Sequence, residues 1–152
     1  MKTKLLLIVS LFIHCFAKSQ STQYWQQNVD YTIDVSLNDT LKTLDGYVSM
    51  QYQNNSPDTL HFIWFHLWPN AYKNDKTAFS DHMLENGSTK FYFSDKEDRG
   101  YINKLDFKVN GITAQLEDHP EHIDIAKLVL PAPLAPGQKI MISTPFHVKL
   151  PY

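Results

Sequence analysis

At 152 residues, 43% of them apolar and 20% charged, the chain has material for one ordinary domain with one core and not for two. Fourteen basic residues face sixteen acidic ones for a formal charge of −2, and losing Lys2, Lys4 and Lys18 with a leader leaves eleven basic residues and a charge of −5. A surface of that sign repels phosphate backbones, so nucleic acid is excluded as an expected partner.

Lys2 and Lys4 precede an apolar run from Leu5 to Ala17 broken only by Ser10 and His14, which reads as a signal peptide over residues 1–19. Ala17 and Ser19 supply small residues at the −3 and −1 positions for cleavage before Gln20. The run falls short of the roughly 20 residues of a membrane-spanning helix. No second apolar stretch follows it, so an exported product, periplasmic or extracellular, with no transmembrane segment after signal removal, is expected. A lipid anchor is not expected, because His14 rather than a small residue precedes Cys15. Cys15 leaves with the leader, so residues 20–152 form a single β domain held by packing without a disulfide.

Tyr31, Ile33, Val35 and Leu37 alternate with Thr32, Asp34 and Ser36, the period of a strand with one wet face. Asn38-Asp39 breaks that run, and from Gly46 a second begins with Val48, Met50 and Tyr52 on one side. The two read as antiparallel neighbours, ended by a turn at Asn54-Asn55-Ser56-Pro57-Asp58. Thr59 to Trp68 is apolar on both parities and predicts a strand covered on both faces. Pro69-Asn70 ends it, and one short polar helix is predicted around Ser80 to Leu84, stopped by Asn86-Gly87.

Ile102, Leu105, Phe107 and Val109 lead into Asn110-Gly111, after which Ile112, Ala114 and Leu116 continue. Asn-Gly between alternating runs predicts a tight hairpin. Ile123, Ile125, Leu128 and Leu130 change parity, which predicts a bulge near Ala126-Lys127. Pro131 to Gly137 reads as a rigid connection, and Lys139 to Leu150 as the last strand. About seven short strands and at most one short helix predict an all-β fold, an antiparallel β-sandwich or curved, saddle-like sheet.

Candidate chemistry is sparse. His119-Pro120-Glu121-His122, between Asp118 and Asp124, has the atoms for a divalent ion, but Pro120 argues against the helix that brings two imidazoles to one face, and a solvated turn is favoured. His61 and His66 lie an odd number of residues apart on a strand, so they point to opposite faces and are read as structural histidines near the core. Asp95, Glu97 and Asp98, crowded around Lys96 and Arg99, lack the spacing of a calcium loop and read as a charged surface loop. No nucleophile elbow and no phosphate-binding glycine loop occurs. Trp64, Trp68, Tyr72, Tyr92 and Tyr101 could stack sugars, although aromatics at strand spacing are more often core. No catalytic, cofactor-binding or metal residue is therefore assigned.

Several segments together resemble the M1 family of zinc metallopeptidases, the aminopeptidase N type. They are Tyr31-Thr32-Ile33-Asp34-Val35-Ser36-Leu37, Leu44-Asp45-Gly46 into Val48-Ser49-Met50-Gln51-Tyr52, and Asn54-Asn55-Ser56. The most specific is Phe65-His66-Leu67-Trp68-Pro69-Asn70-Ala71-Tyr72, similar to a segment of exported bacterial members. Gly100-Tyr101-Ile102, Val109-Asn110-Gly111, Leu130-Pro131, Leu134-Ala135-Pro136-Gly137 and the strand from Ile140 to Pro151 extend the resemblance over most of residues 24–152. It implies the family's N-terminal β domain alone. The zinc of that family sits in a thermolysin-like catalytic domain on a His-Glu-x-x-His motif, and this sequence contains no His-Glu pair. The implied role is a non-catalytic N-terminal domain or truncated fragment, with no cofactor of its own, that packs against the catalytic domain and walls its substrate cleft. The alternative from the aromatics is a stand-alone exported binding module for carbohydrate or peptide.

Overall fold

Side-chain alternation sets the first two strands, and the ladder between them is unbroken. In the computed structural model, which describes residues 24–152, β1 (Asn28–Asn38) pairs antiparallel with β2 (Thr43–Gln53) from Asn28 opposite Gln53 to Asn38 opposite Thr43. The signal peptide, its cleavage site and Cys15 lie outside the described residues. The turn between the strands is held by the Asn38 side chain, whose Oδ1 accepts the Leu41 N–H at 2.9 Å. Strand β3 (Leu60–His66) leaves this sheet for a second one.

The predicted helix is α1 (Ala78–Glu85), capped by the Thr77 side chain on the Ser80 N–H and stopped at Gly87 with φ 77°. It packs through Phe79 into a satellite aromatic cluster with Tyr72 and Phe91, at centroid distances of 4.5 and 5.0 Å.

The run from Ile102 to Val109 is not one strand. It splits into β4 (Tyr101–Asn103) and β5 (Lys108–Val109), separated by Lys104 in the left-handed region at φ 57°. The Asn-Gly hairpin to β6 (Ile112–Thr113) is present, with Asn110 at φ 50° and Gly111 at φ 83°, the signs that a type I′ turn requires. Past Ala114 the chain crosses between sheets, so β7 (Leu116–Asp118) pairs with β8 (Ile125–Leu134) instead of extending the hairpin.

The last strand, β9 (Lys139–Lys149), pairs with β2 along its whole length. The larger sheet thus runs β1-β2-β9-β5-β6 with β4 on β9, and the smaller runs β3-β8-β7. All pairings are antiparallel, and the two sheets close on Met50, Phe107, Val109, Ala114, Leu128, Leu130, Leu134 and Ile142. The fold is all-β, an antiparallel sandwich of two unequal sheets with one α-helix among the described residues, as the alternation predicts.

Three local expectations are corrected. Strand β3 is not covered on both faces: Ile63 and Phe65 pack into the core, whereas Phe62 and Trp64 face out and are exposed. No bulge lies at Ala126-Lys127, because Ala126 and not Ile125 is the inward residue, and its small side chain hid the true parity. The irregularity falls between Leu60 and Phe62 on β3, opposite the stretch of β8 that holds Pro131 and Pro133. Those prolines therefore belong to a strand and not to a connection, at a place where the ladder is interrupted and the missing N–H costs nothing.

Candidate functional site

The larger sheet has a dry face and a wet face along its full length. Register places Tyr31, Ile33, Val35 and Leu37 of β1 beside Met50, Val48, Gly46 and Leu44 of β2, and these beside Ile142, Thr144, Phe146 and Val148 of β9. The wet face carries Asp30, Thr32, Asp34 and Ser36 against Gln51, Ser49, Tyr47 and Asp45. On the dry face Met50, Ile142, Thr144 and Val148 are buried, but the β1 row of Tyr31, Ile33, Val35 and Leu37 is at least 50% exposed at every position. Strand β1 projects beyond the cover of the smaller sheet. Four large apolar side chains in register on one strand form a continuous exposed stripe, unlike the scattered single ones that any surface carries.

A cleft of about 400 Å³ lies where the cover stops. Val29 and Tyr31 of β1 and Met50 and Tyr52 of β2 form its floor, and Ile63 to His66 of β3 with Trp68 form its other wall. Trp68 stands 67% exposed at the rim, its ring stacked on His66 with centroids 4.9 Å apart. The 3-10 turn Trp68–Tyr72 is anchored from below by Asn70, whose Nδ2 donates to Ile123 O at 3.1 Å and whose Oδ1 accepts from Ile102 N at 3.1 Å. The Trp-Pro-Asn-Ala-Tyr segment therefore ties β4 of the larger sheet to the β7–β8 connection and presents its tryptophan at the cleft.

No family model and no curated protein matches this chain.

The residues singled out in the sequence are mostly kept apart. His119 and His122 do stack, with centroids 4.9 Å apart, but His119 Nδ1 already accepts the main-chain N–H groups of Glu121 and His122 at 3.2 Å each. No group of three metal-ligating side chains converges among the described residues. His61 and His66 are exposed rather than near the core, with the β3 irregularity beside His61. In the acidic segment Arg99 is the organising group: it donates to Ser94 Oγ, Ser94 O and Tyr92 O at 3.2 Å each and lies over Phe91. Glu97 and Asp98 sit on the short 3-10 turn Lys96–Asp98 at the surface, as a charged loop does.

The aromatic residues divide between roles. Tyr72 joins Phe79 and Phe91, and Tyr101 lies in β4, whereas Trp64, Trp68 and Tyr92 are exposed, against the expectation of core positions. Trp64 and Trp68 line one cleft; Tyr92 does not. The sequence did not mark the β1 stripe as a site, because alternation reports which face is apolar and says nothing of what covers it.

On the wet face Asp45 ties three strands. Its Oδ1 lies 2.8 Å from His147 Nδ1 of β9 and 3.3 Å from Lys104 Nζ at the end of β4. The His147 hydrogen bond draws the Asp45 carboxyl below its ordinary value of 3.8, partial desolvation opposes it, and the Lys104 hydrogen bond adds to the lowering. A depressed carboxylate contributes stability above its unfolded value and loses it as pH falls through the folded one. The urea midpoint of Asp45→Asn is therefore expected to lie below that of wild type at about pH 6, and the gap to narrow as pH falls below the ordinary carboxylate value of 3.8 and through the lowered folded one. An unchanged gap across that range would show that the carboxylate is not what the strands depend on.

Proposed function

We propose that this chain is the non-catalytic N-terminal β domain of an exported M1-type metallopeptidase, docked through the dry face of its larger sheet on a catalytic domain whose substrate cleft it walls. The exposed β1 stripe carries this reading: a domain whose work is to seat another should leave apolar surface that its own second sheet does not reach. Two further features support it. The all-β antiparallel architecture is the one the resemblance implies, and the Phe65–Tyr72 segment that carries the resemblance most specifically lies beside the uncovered edge. Zinc chemistry belongs to the catalytic domain in this reading. The chain itself contributes shape and apolar contact.

The direct test is the reading frame beyond the Tyr152 codon, where an in-frame His-Glu-x-x-His motif is expected. At the protein level, Ile33→Lys should weaken capture of that catalytic domain by at least about tenfold, or ~1.4 kcal/mol, since it sets a charge in the centre of the stripe. Peptide hydrolysis by the purified chain alone, abolished by a chelator, would overturn the non-catalytic assignment. The second reading, a stand-alone binding module, is favoured by the exposed Trp68 ring stacked on His66. Saturable glycan binding that disappears in Trp68→Ala, with Ile33→Lys inert, would put it first.

A further inference from the structure

We infer that the step between the free edge of β3 and the overhanging β1 is a seat for one extended polypeptide strand, apolar at alternate positions, which joins the smaller sheet beside β3. This deepens the partner-surface reading and rests on it. Among the described residues the smaller sheet ends at β3, which is hydrogen-bonded on one side only, to β8. Leu67 N donates to Asp124 O at 2.7 Å, which makes that a hydrogen-bonded pair of the ladder. Antiparallel pairs alternate, so the Phe65–Ala126 and Ile63–Leu128 pairs are bonded as well, while the N–H and C=O of Trp64 and His66 point away from β8. The opposite side of β8 agrees: Ile125 O accepts from His119 N and Val129 N donates to Gln115 O, so its residues 125 and 129 bond to the β7 side.

The main-chain groups of Trp64 and His66 therefore face the cleft, whose floor is apolar. They ask for a partner that brings donors and acceptors at strand spacing, which an added strand supplies and a lipid or a sugar ring does not. The geometry of a sandwich fixes the rest. A strand added to β3 lies about 4.8 Å from it in the plane of the smaller sheet and about 10 Å above the larger one, over β1. Its inward side chains then cover Tyr31, Ile33 and Val35, and its outward ones meet Trp64, His66 and Trp68 at the rim. A second copy pairing β1 to β1 extends the larger sheet in its own plane and leaves the dry face bare, so it does not answer the exposure.

The probe is a displayed library of random dodecapeptides selected on the full chain. Enriched sequences with apolar residues at every second position are expected. In the best of them, N-methylation of the backbone should abolish binding at one parity and be tolerated at the other. Trp64→Pro removes an edge N–H that β8 does not use and should weaken binding by about tenfold, whereas Trp64→Ala, which keeps that N–H, should cost about threefold or less. Ile33→Lys, an exposed change that leaves the core untouched, should also cost at least about tenfold. If Ile33→Lys abolishes binding while N-methylation and Trp64→Pro are silent, the strand mode is wrong and the partner surface stands. If none of these changes matters, if no alternating sequence enriches, or if sedimentation finds a dimer that Ile33→Lys dissolves and peptide does not displace, the inference falls.

Discussion

Replacing Asn54 by alanine is expected to lower stability by roughly 3–5 kcal/mol. Asn54 has no exposed surface, yet it lies in a turn. Its Nδ2 donates to Asp58 O at 2.8 Å and to Leu134 O at 3.0 Å, while its Oδ1 accepts from Ser56 N at 3.0 Å, Ser56 Oγ at 2.6 Å and Gln27 Nε2 at 3.2 Å. Its main chain bonds in both directions to the turn before β9, through Gln138 O and Gly137 N. Truncation takes a buried partner from Leu134 O and from the Ser56 N–H, each at about 1–3 kcal/mol, whereas Asp58 O keeps the Ser56 hydroxyl at 3.1 Å. The same bonds join the β2–β3 turn to the β8–β9 turn, so the loss loosens both sheets at one end. Urea unfolding at neutral pH measures it. Asn54→Asp should be as damaging, because it removes the donor and buries a charge, and a loss under about 1 kcal/mol in either variant would show that water replaces the side chain.

Gly46→Ala should cost about 3 kcal/mol, opposite in sign to the gain of about 0.5–1 kcal/mol that alanine normally gives over glycine inside a strand. Gly46 faces Phe146 across the β2–β9 ladder, and a Cβ there would stand 2.5 Å from Phe146 Cζ and 2.6 Å from Asp34 O. The aromatic ring lies over the bare glycine backbone, and the second obstacle is main chain in the neighbouring strand. Phe146 can turn aside, but Asp34 O cannot move without breaking the β1 ladder. Combining Gly46→Ala with Phe146→Leu should therefore recover only part of the loss, and thermal unfolding of the single and double variants measures both. Full recovery would mean that only the ring sets the constraint, and a stabilised single variant would remove the close approach altogether.

These two positions show where reading the sequence stops. Asn54-Asn55-Ser56 is legible as a turn, since short polar residues before a proline favour one, but the carbonyl that Asn54 satisfies belongs to Leu134, eighty residues away. Gly46 is legible as the start of a strand, but the atoms that crowd a side chain there come from Phe146 of β9 and from the Asp34 carbonyl of β1. Strand β3 failed in the same manner. Its apolar residues on both parities suggested two covered faces, when one set meets the core and the other forms an exposed aromatic surface with Trp64.

What the sequence determined by itself is everything that depends on neighbours along the chain. The alternation of β1, β2 and β9, the Asn110-Gly111 hairpin and the capped helix rest on local backbone geometry and on residue chemistry. Tertiary structure alone decided which sheet each strand joins, how far the smaller sheet covers the larger, and hence that Tyr31, Ile33, Val35 and Leu37 stand open among the described residues, with Tyr31 at the cleft beside β3. The physical reason is that period-two patterning fixes the direction of a side chain relative to its own strand, whereas burial is a property of two sheets and of the difference in their widths.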